Sequence, residues 1–162
     1  KGRGAGMIVK IIVCKHKTPI SWLIRKLCNS PYSHLGLKTG HSEMRDADWG
    51  GVKRRRLPKV YDEFKIEMDF ENWKAANKWL HERTGDKYDF MGAIGTAIFN
   101  AMGKKREKNI LSDPHKWTCS ELVYGYFLAG GMILKDGVDI ANFHPGHILF
   151  SRAVKSGQGK TT

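Results

Sequence analysis

The segment from Thr118 to Ala129, ending at Gly130-Gly131, constrains this chain most. Leu122, Val123, Tyr126 and Phe127 follow Cys119 at i+3, i+4, i+7 and i+8, which places all of them on one side of a helix. A helix this apolar has to lie against a sheet or another helix. Its first turn leaves Cys119 where the apolar face departs from the core, beside the positive end of the helix dipole, which favours a thiolate. A buried cysteine that merely packs is the competing reading, and the position at the helix start is what argues against it.

The rest of the chain supplies the sheet. Met7 to Cys14 is rich in β-branched residues and reads as a buried strand. Thr18-Pro19 opens a helix with Ile20, Leu23, Ile24 and Leu27 in a stripe, and Asn29-Ser30-Pro31 ends it. Further strands are expected over 32–38, 43–47, 52–57 and 65–69. The third of these, with Lys53-Arg54-Arg55-Arg56, reads as an exposed edge guarded by charge. Helices are expected over 71–83, with Gly85 as its C-terminal cap, and over 88–102, with Ile94 and Ile98 turned inward. Residues 104–116 read as a basic loop, and 142–149 as a turn and a last short strand. Strands early and helices late make an α+β protein, an antiparallel sheet packed against the cysteine helix.

The length of 162 residues suits a single domain, expected over 7–155, with 1–6 and 156–162 as flexible termini and Met7 as the natural start. No transmembrane segment and no secretory signal are read, so a cytoplasmic location and a bacterial or phage source are expected. Cys14 and Cys28 lie in apolar surroundings and are expected as buried thiols. The formal charge of +12 points to an anionic partner through the basic surface, against the blander reading of a solvated basic face. Lys53 to Arg56 lacks a nucleic-acid reading module. Gly157-Gln-Gly159-Lys160-Thr161 resembles the end of a phosphate loop, but its first glycine would fall on Val154 and no helix follows.

His34 is the candidate base. On its strand it shares a face with Gly36, opposite Leu35 and Leu37, and Gly36 leaves room beside the imidazole. Asp46, on the next strand, is the best candidate to orient it, with Glu43 and Asp48 as rivals. His115 precedes Cys119 by four residues in a polar loop. His144 and His147 have the look of a metal pair, but no acidic or cysteine ligands at metal spacing accompany them, so no metal and no cofactor are expected.

These segments together resemble the circularly permuted branch of the NlpC-type papain-like superfamily, the YiiX-like proteins and, more distantly, the lecithin:retinol acyltransferase-like enzymes. The resemblance spans roughly 8–151. Ser30-Pro31-Tyr32-Ser33-His34-Leu35-Gly36-Leu37 is similar to the S-x-Y-S-H-hydrophobic-G segment. Met44-Arg45-Asp46-Ala47 and Gly51-Val52 resemble the strand that completes the triad, and Gly85 to Phe90 the G-x-x-Y-D-aromatic stretch. Thr118-Cys119-Ser120-Glu121-Leu122-Val123 resembles the C-S-E-L-V helix, and His144-Pro145-Gly146-His147-Ile148-Leu149 the closing segment.

The resemblance implies a papain-like core and a Cys119, His34, Asp46 triad. It places Tyr88, Ser120 and Tyr32 at the oxyanion or substrate. The implied activity is that of a thiol hydrolase acting on an amide, with esters and thioesters as further substrates. Two alternatives stand beside it: acyl transfer or thioester cleavage on lipid-like acyl groups, to which the uncharged 90–102 stretch would contribute contacts, and an idle site on a basic binding protein. Asp46 is shorter than the usual third member, and the cysteine context is not the N-C-E-H of the acyltransferases. The sequence leaves the oligomeric state open.

Overall fold

The computed structural model describes residues 6–104 and 106–151. The expected flexible tail, the end of the expected domain, the first residues and the Gly157 to Thr161 motif lie outside them. Four strands, β1 (Met7–Cys14), β2 (His34–Lys38), β3 (Glu43–Asp48) and β4 (Gly51–Arg56), and a fifth, β5 (Asp62–Met68), form one antiparallel sheet in the order β4-β3-β2-β1-β5. Helix α1 (Pro19–Leu27) follows β1. After β5 come α2 (Phe70–Glu82), a short strand β6 (Lys87–Tyr88), α3 (Phe90–Ala101), a short strand β7 (Lys116–Trp117) and α4 (Cys119–Ala129). Strands β6 and β7 pair in parallel. The architecture is mixed α+β, with the cysteine helix on the sheet.

Strand alternation sets the layers. Val9, Ile11 and Val13 of β1, Leu35 and Leu37 of β2, and Ala47 and Val52 join Leu122, Val123, Tyr126 and Phe127 in one core. Helix α4 packs on β2 and β3 and against α2, which adds Ala76 and Leu80. The other face of the sheet buries Ile12, Cys14, His34, Met44 and Asp46. Charge guards the β4 edge, as its sequence indicates: Lys53, Arg54 and Arg56 are exposed. No helix among the described residues is long and apolar enough to cross a membrane.

Several expectations need correction. Strand β5 begins at Asp62 because β1 pairs with it along nearly its whole length, from Met7↔Met68 to Val13↔Asp62. Helix α3 begins at Phe90: Tyr88 is held in β6, and the Asp89 side chain caps the helix by accepting from Gly92 N. Its inward face is not Ile94 and Ile98. Gly92, Ala93, Gly95, Thr96 and Ala97 are buried, whereas Ile98 is 39% exposed. The cause is close approach: Asn109 Nδ2 donates to the carbonyls of Gly92 and Ala141, and a Cβ on Gly95 would collide with the Asn109 side chain.

Residues 142–149 contain no strand. Two 3-10 helices, Ile140–Asn142 and Pro145–Phe150, stand there, the second capped by the His144 side chain, which accepts from Gly146 N. Helix α4 is not amphipathic in place, since every residue from Cys119 to Phe127 is buried.

Gly85 does not cap α2. Its φ of +98° turns the chain so that its N–H donates to Val52 O, and Val52 N donates in turn to Asp86 O. This clip fastens the start of β4 to the segment that carries Tyr88. Gly51, with φ +79°, lies where a Cβ would strike the Asp86 carbonyl oxygen. Gly51→Ala is therefore expected to lower the unfolding free energy by about 1–3 kcal/mol, measured by urea denaturation.

Candidate active site

The start of α4 is fixed by its own side chains. Thr118, in extended conformation, accepts from Glu121 N, and Glu121 Oε2 accepts from Thr118 N at 2.7 Å. This reciprocal capping box is written in the sequence as T-x-x-E, a signal that the helical spacing alone passes over. Ser112 Oγ donates to the other Glu121 oxygen at 2.9 Å. Cys119 thereby becomes the first residue of the helix, 6% exposed, with its Sγ 3.8 Å from Ser120 Oγ.

His34 is the first residue of β2 and is 5% exposed. Its Nε2 lies 2.6 Å from Asp46 Oδ2, and Asp46 is 1% exposed. With Nε2 engaged, Nδ1 is the nitrogen left for the thiol. Gly36 makes the pairing possible: a Cβ there would stand 3.0 Å from Met44 Sδ and 3.3 Å from Asp46 Cβ. Arg55 Nε donates to Asp46 Oδ1 at 2.7 Å, while its Nη2 reaches Asp48 and the Gly51 carbonyl. So Asp46 meets the imidazole, Asp48 is occupied with Arg55, and Glu43 is exposed at the opposite end of β3. The basic run read as an edge guard thus also supplies the arginine behind the carboxylate.

The electrostatics follow from these contacts. Burial by itself would raise the Cys119 thiol, but the His34 charge and hydrogen bond, the Leu35 N–H and Ser120 together bring it below its ordinary value. Burial by itself would lower His34, but the Cys119 thiolate, then the Asp46 hydrogen bond, lift it to about 10. His34 holds its proton more tightly folded than unfolded. Its contribution to stability is complete below the unfolded value of 6.5 and disappears as pH rises through about 10. Cys119 works in the opposite sense: its contribution is present above the unfolded value of 9.0 and is lost as pH falls through the lowered folded value. The thiolate–imidazolium pair occupies the range between the two folded values. Burial pushes both Cys14 and Cys28 up to about 12, and both are buried free thiols.

A narrow cavity opens beside Cys119, lined by Ser33, Tyr88, Thr96, Ser120 and His144 among others. Tyr88 is there because β6 pairs with β7, the strand that leads into Thr118. Burial, then the charges of Cys119 and Glu121, raise its phenol. Tyr32 is not among the lining residues. Its hydroxyl donates to Asp62 on β5 at 2.5 Å, and burial with that bond raises it to about 12. His115 is exposed on the loop surface.

The rings of His144 and His147 lie 3.7 Å apart, and the Nδ1 of each accepts a nearby backbone N–H. A residue that sequence reasoning missed is His16, whose half-buried ring stacks on His34 at 4.3 Å while its backbone N–H donates to Ser33 Oγ. No spacing rule links a loop histidine after β1 to a strand histidine; only the Cys14↔His34 register brings them together.

No protein-family model matches the chain, and no curated protein matches it in sequence. Among solved structures it is similar to the metalloprotein YiiX of Escherichia coli O157:H7, with a TM-score of 0.65, over 99% of each chain, at 16% identity. The chain thus has a YiiX-like fold. Among the described residues no three His, Cys, Asp or Glu side chains are gathered to hold a metal ion, so these residues do not fit such a centre.

Near pH 6, iodoacetamide is expected to label Cys119 alone among the three cysteines, and His34→Ala to slow that labelling by about tenfold or more. Peptide mapping over a time course checks this; equal labelling of Cys14 or Cys28 would contradict it.

Proposed function

We propose that the protein is a cysteine hydrolase with a circularly permuted papain-like core, in which Cys119 is the nucleophile, His34 the general base and Asp46 the orienting carboxylate. The observation that carries this reading is the buried His34–Asp46 bond of 2.6 Å, with the second imidazole nitrogen left to a thiol on a helix N-terminus. The YiiX-like fold supports it at the level of architecture.

In this reading the Cys119 thiolate attacks the carbonyl carbon of an amide. The oxyanion is met by the Cys119 N–H at the helix start, with the Tyr88 hydroxyl and Ser120 as neighbouring donors. The imidazolium of His34 gives its proton to the leaving amine as the C–N bond breaks, leaving a thioester on Sγ. His34, now neutral, takes a proton from water, the hydroxide adds to the thioester, and Cys119 departs as a thiolate beside a reprotonated His34. Asp46 holds the imidazole in the required tautomer and stabilises its charged form.

A second reading, transfer of the acyl group to an amine or lipid, has one observation in its favour. Helix α3 contributes Ala93 and Thr96 to the cavity and exposes Met91 and Ile98, with Met102 exposed just beyond its end. Free acid as product supports hydrolysis, and an acylated amine or lipid supports transfer.

The test is turnover of a panel of amide, ester and thioester substrates with mass spectrometry of the enzyme. A covalent acyl adduct on Cys119 is expected. Cys119→Ala should lower turnover by about three orders of magnitude or more, and Asp46→Asn by about a hundredfold or more. The rate should fall on the acid side as Cys119 takes up a proton and on the basic side as His34 loses its own near 10. Full turnover by Cys119→Ala would overturn the mechanism.

A further inference from the structure

Strands β1, β2, β3 and β4 place one row of side chains across the core face: Ile11↔Leu37 and Leu37↔Arg45, then Arg45↔Arg54 at the edge. Ile11 and Leu37 are core residues, so the row passes from hydrocarbon directly to two adjacent guanidinium groups. Arg45 is 8% exposed, yet its side chain makes no hydrogen bond or ion pair with any described residue, and its Nε is buried without a partner. The acidic groups nearby do not answer these charges. Asp46 and Asp48 point to the other face and hold Arg55, while Glu43, two residues from Arg45 on the same face of β3, is exposed and forms no ion pair with Arg45 or Arg54.

A buried cation beside a like charge is costly, and burial followed by the charge of Arg54 lowers the proton affinity of Arg45. Cross-strand neighbours have Cα atoms about 4.5–5.5 Å apart, so the two planar forks can converge on one anion. Two fixed positive charges call for a dianion, and the planar five-donor fork matches phosphate oxygens in bidentate fashion. Arg54, exposed on the edge strand, leaves the site open to solvent on that side.

We infer that Arg45 and Arg54 form a binding site for a phosphate group, on the opposite face of β3 from Asp46 and independent of the Cys119 chemistry. The phosphate belongs either to a soluble phosphate compound or to a phosphatidate headgroup, since both present the same dianionic oxygens.

The experiment is thermal unfolding of the full chain in orthophosphate against chloride at matched ionic strength. Orthophosphate should raise the Tm of the parent. Arg45→Met and Arg54→Gln should each weaken the apparent affinity by about tenfold or more, whereas Lys65→Gln, which removes the same charge from β5, should respond as the parent does. In chloride, Arg45→Met should be at least as stable as the parent, because it removes an unpaired buried cation. Cys119 labelling at the parental rate verifies that each variant is folded. If Arg45→Met does not fold, the exposed Arg54→Gln carries the comparison.

Sedimentation with phosphatidate-containing vesicles separates the sources. Vesicle binding that depends on Arg45 assigns the headgroup, and an orthophosphate effect without it assigns a soluble phosphate. No Tm response in the parent, an equal response in Arg45→Met or Arg54→Gln, or a loss shared by Lys65→Gln would overturn the proposal.

Discussion

A helix whose first turns are buried on every side has no water with which to satisfy its N-terminal N–H groups, and α4 is such a helix from Cys119 to Phe127. Its N-terminus is closed by Thr118 and Glu121 acting on each other's backbone, and Ser112 occupies the remaining Glu121 oxygen. Its C-terminus is closed by Gly131 at φ +71°, with Gly131 N donating to Leu128 O and Met132 N to Phe127 O. With both ends fixed, the helix cannot slide along β2. The position of Cys119 relative to His34 is therefore a consequence of capping as much as of core packing. A cap of this kind is worth about 1 kcal/mol, but its larger effect is to decide which residue stands first in the helix.

The sheet completes the arrangement through its alternation. On β3, Ala47 enters the core while Asp46 turns to the other face, where Gly36 gives it space. The β4 strand then brings Arg55 across to Asp46 and Asp48. A register shift of one residue on either strand would exchange the faces and separate the carboxylate from the imidazole. The clip between Val52 and the Gly85–Asp86 turn pins β4 and also sets the chain that delivers Tyr88. Imidazole, carboxylate, arginine and phenol are thus all located by backbone hydrogen bonds, while the side chains themselves carry little of the positioning.

Much of this was legible in the sequence because it rests on local rules. The β-branched run gave β1 at its observed bounds, Thr18-Pro19 marked the start of α1, and the Gly130-Gly131 pair ended α4. The adjacency of His34 and Asp46 followed from a hairpin with side chains on one face. What stayed hidden depends on tertiary contacts. The inward face of α3 is decided by Asn109, which arrives from a loop that looks merely polar. Two local features were also passed over. The 3-10 helix at Pro145–Phe150 is capped by the His144 side chain, which accepts from Gly146 N, and the T-x-x-E spacing of Glu121 is a local signal; an apolar helix pattern draws attention away from its one acidic residue.

The run Lys53 to Arg56 shows why charge counting alone misleads. As a composition it is a single basic patch, but as a strand it is two sets facing opposite ways. Arg55 turns to the face of Asp46 and Asp48 and is consumed by them, making it part of the support of the imidazole. Arg54 turns to the face of Arg45, where no described carboxylate answers either charge. One arginine is therefore internal structure, and its neighbour is a demand for an anion that the fold does not supply. A net charge of +12 predicts anionic partners in general. Which of its cations can specify such a partner is decided by the face on which each lies, and by whether a neighbouring strand has already neutralised it.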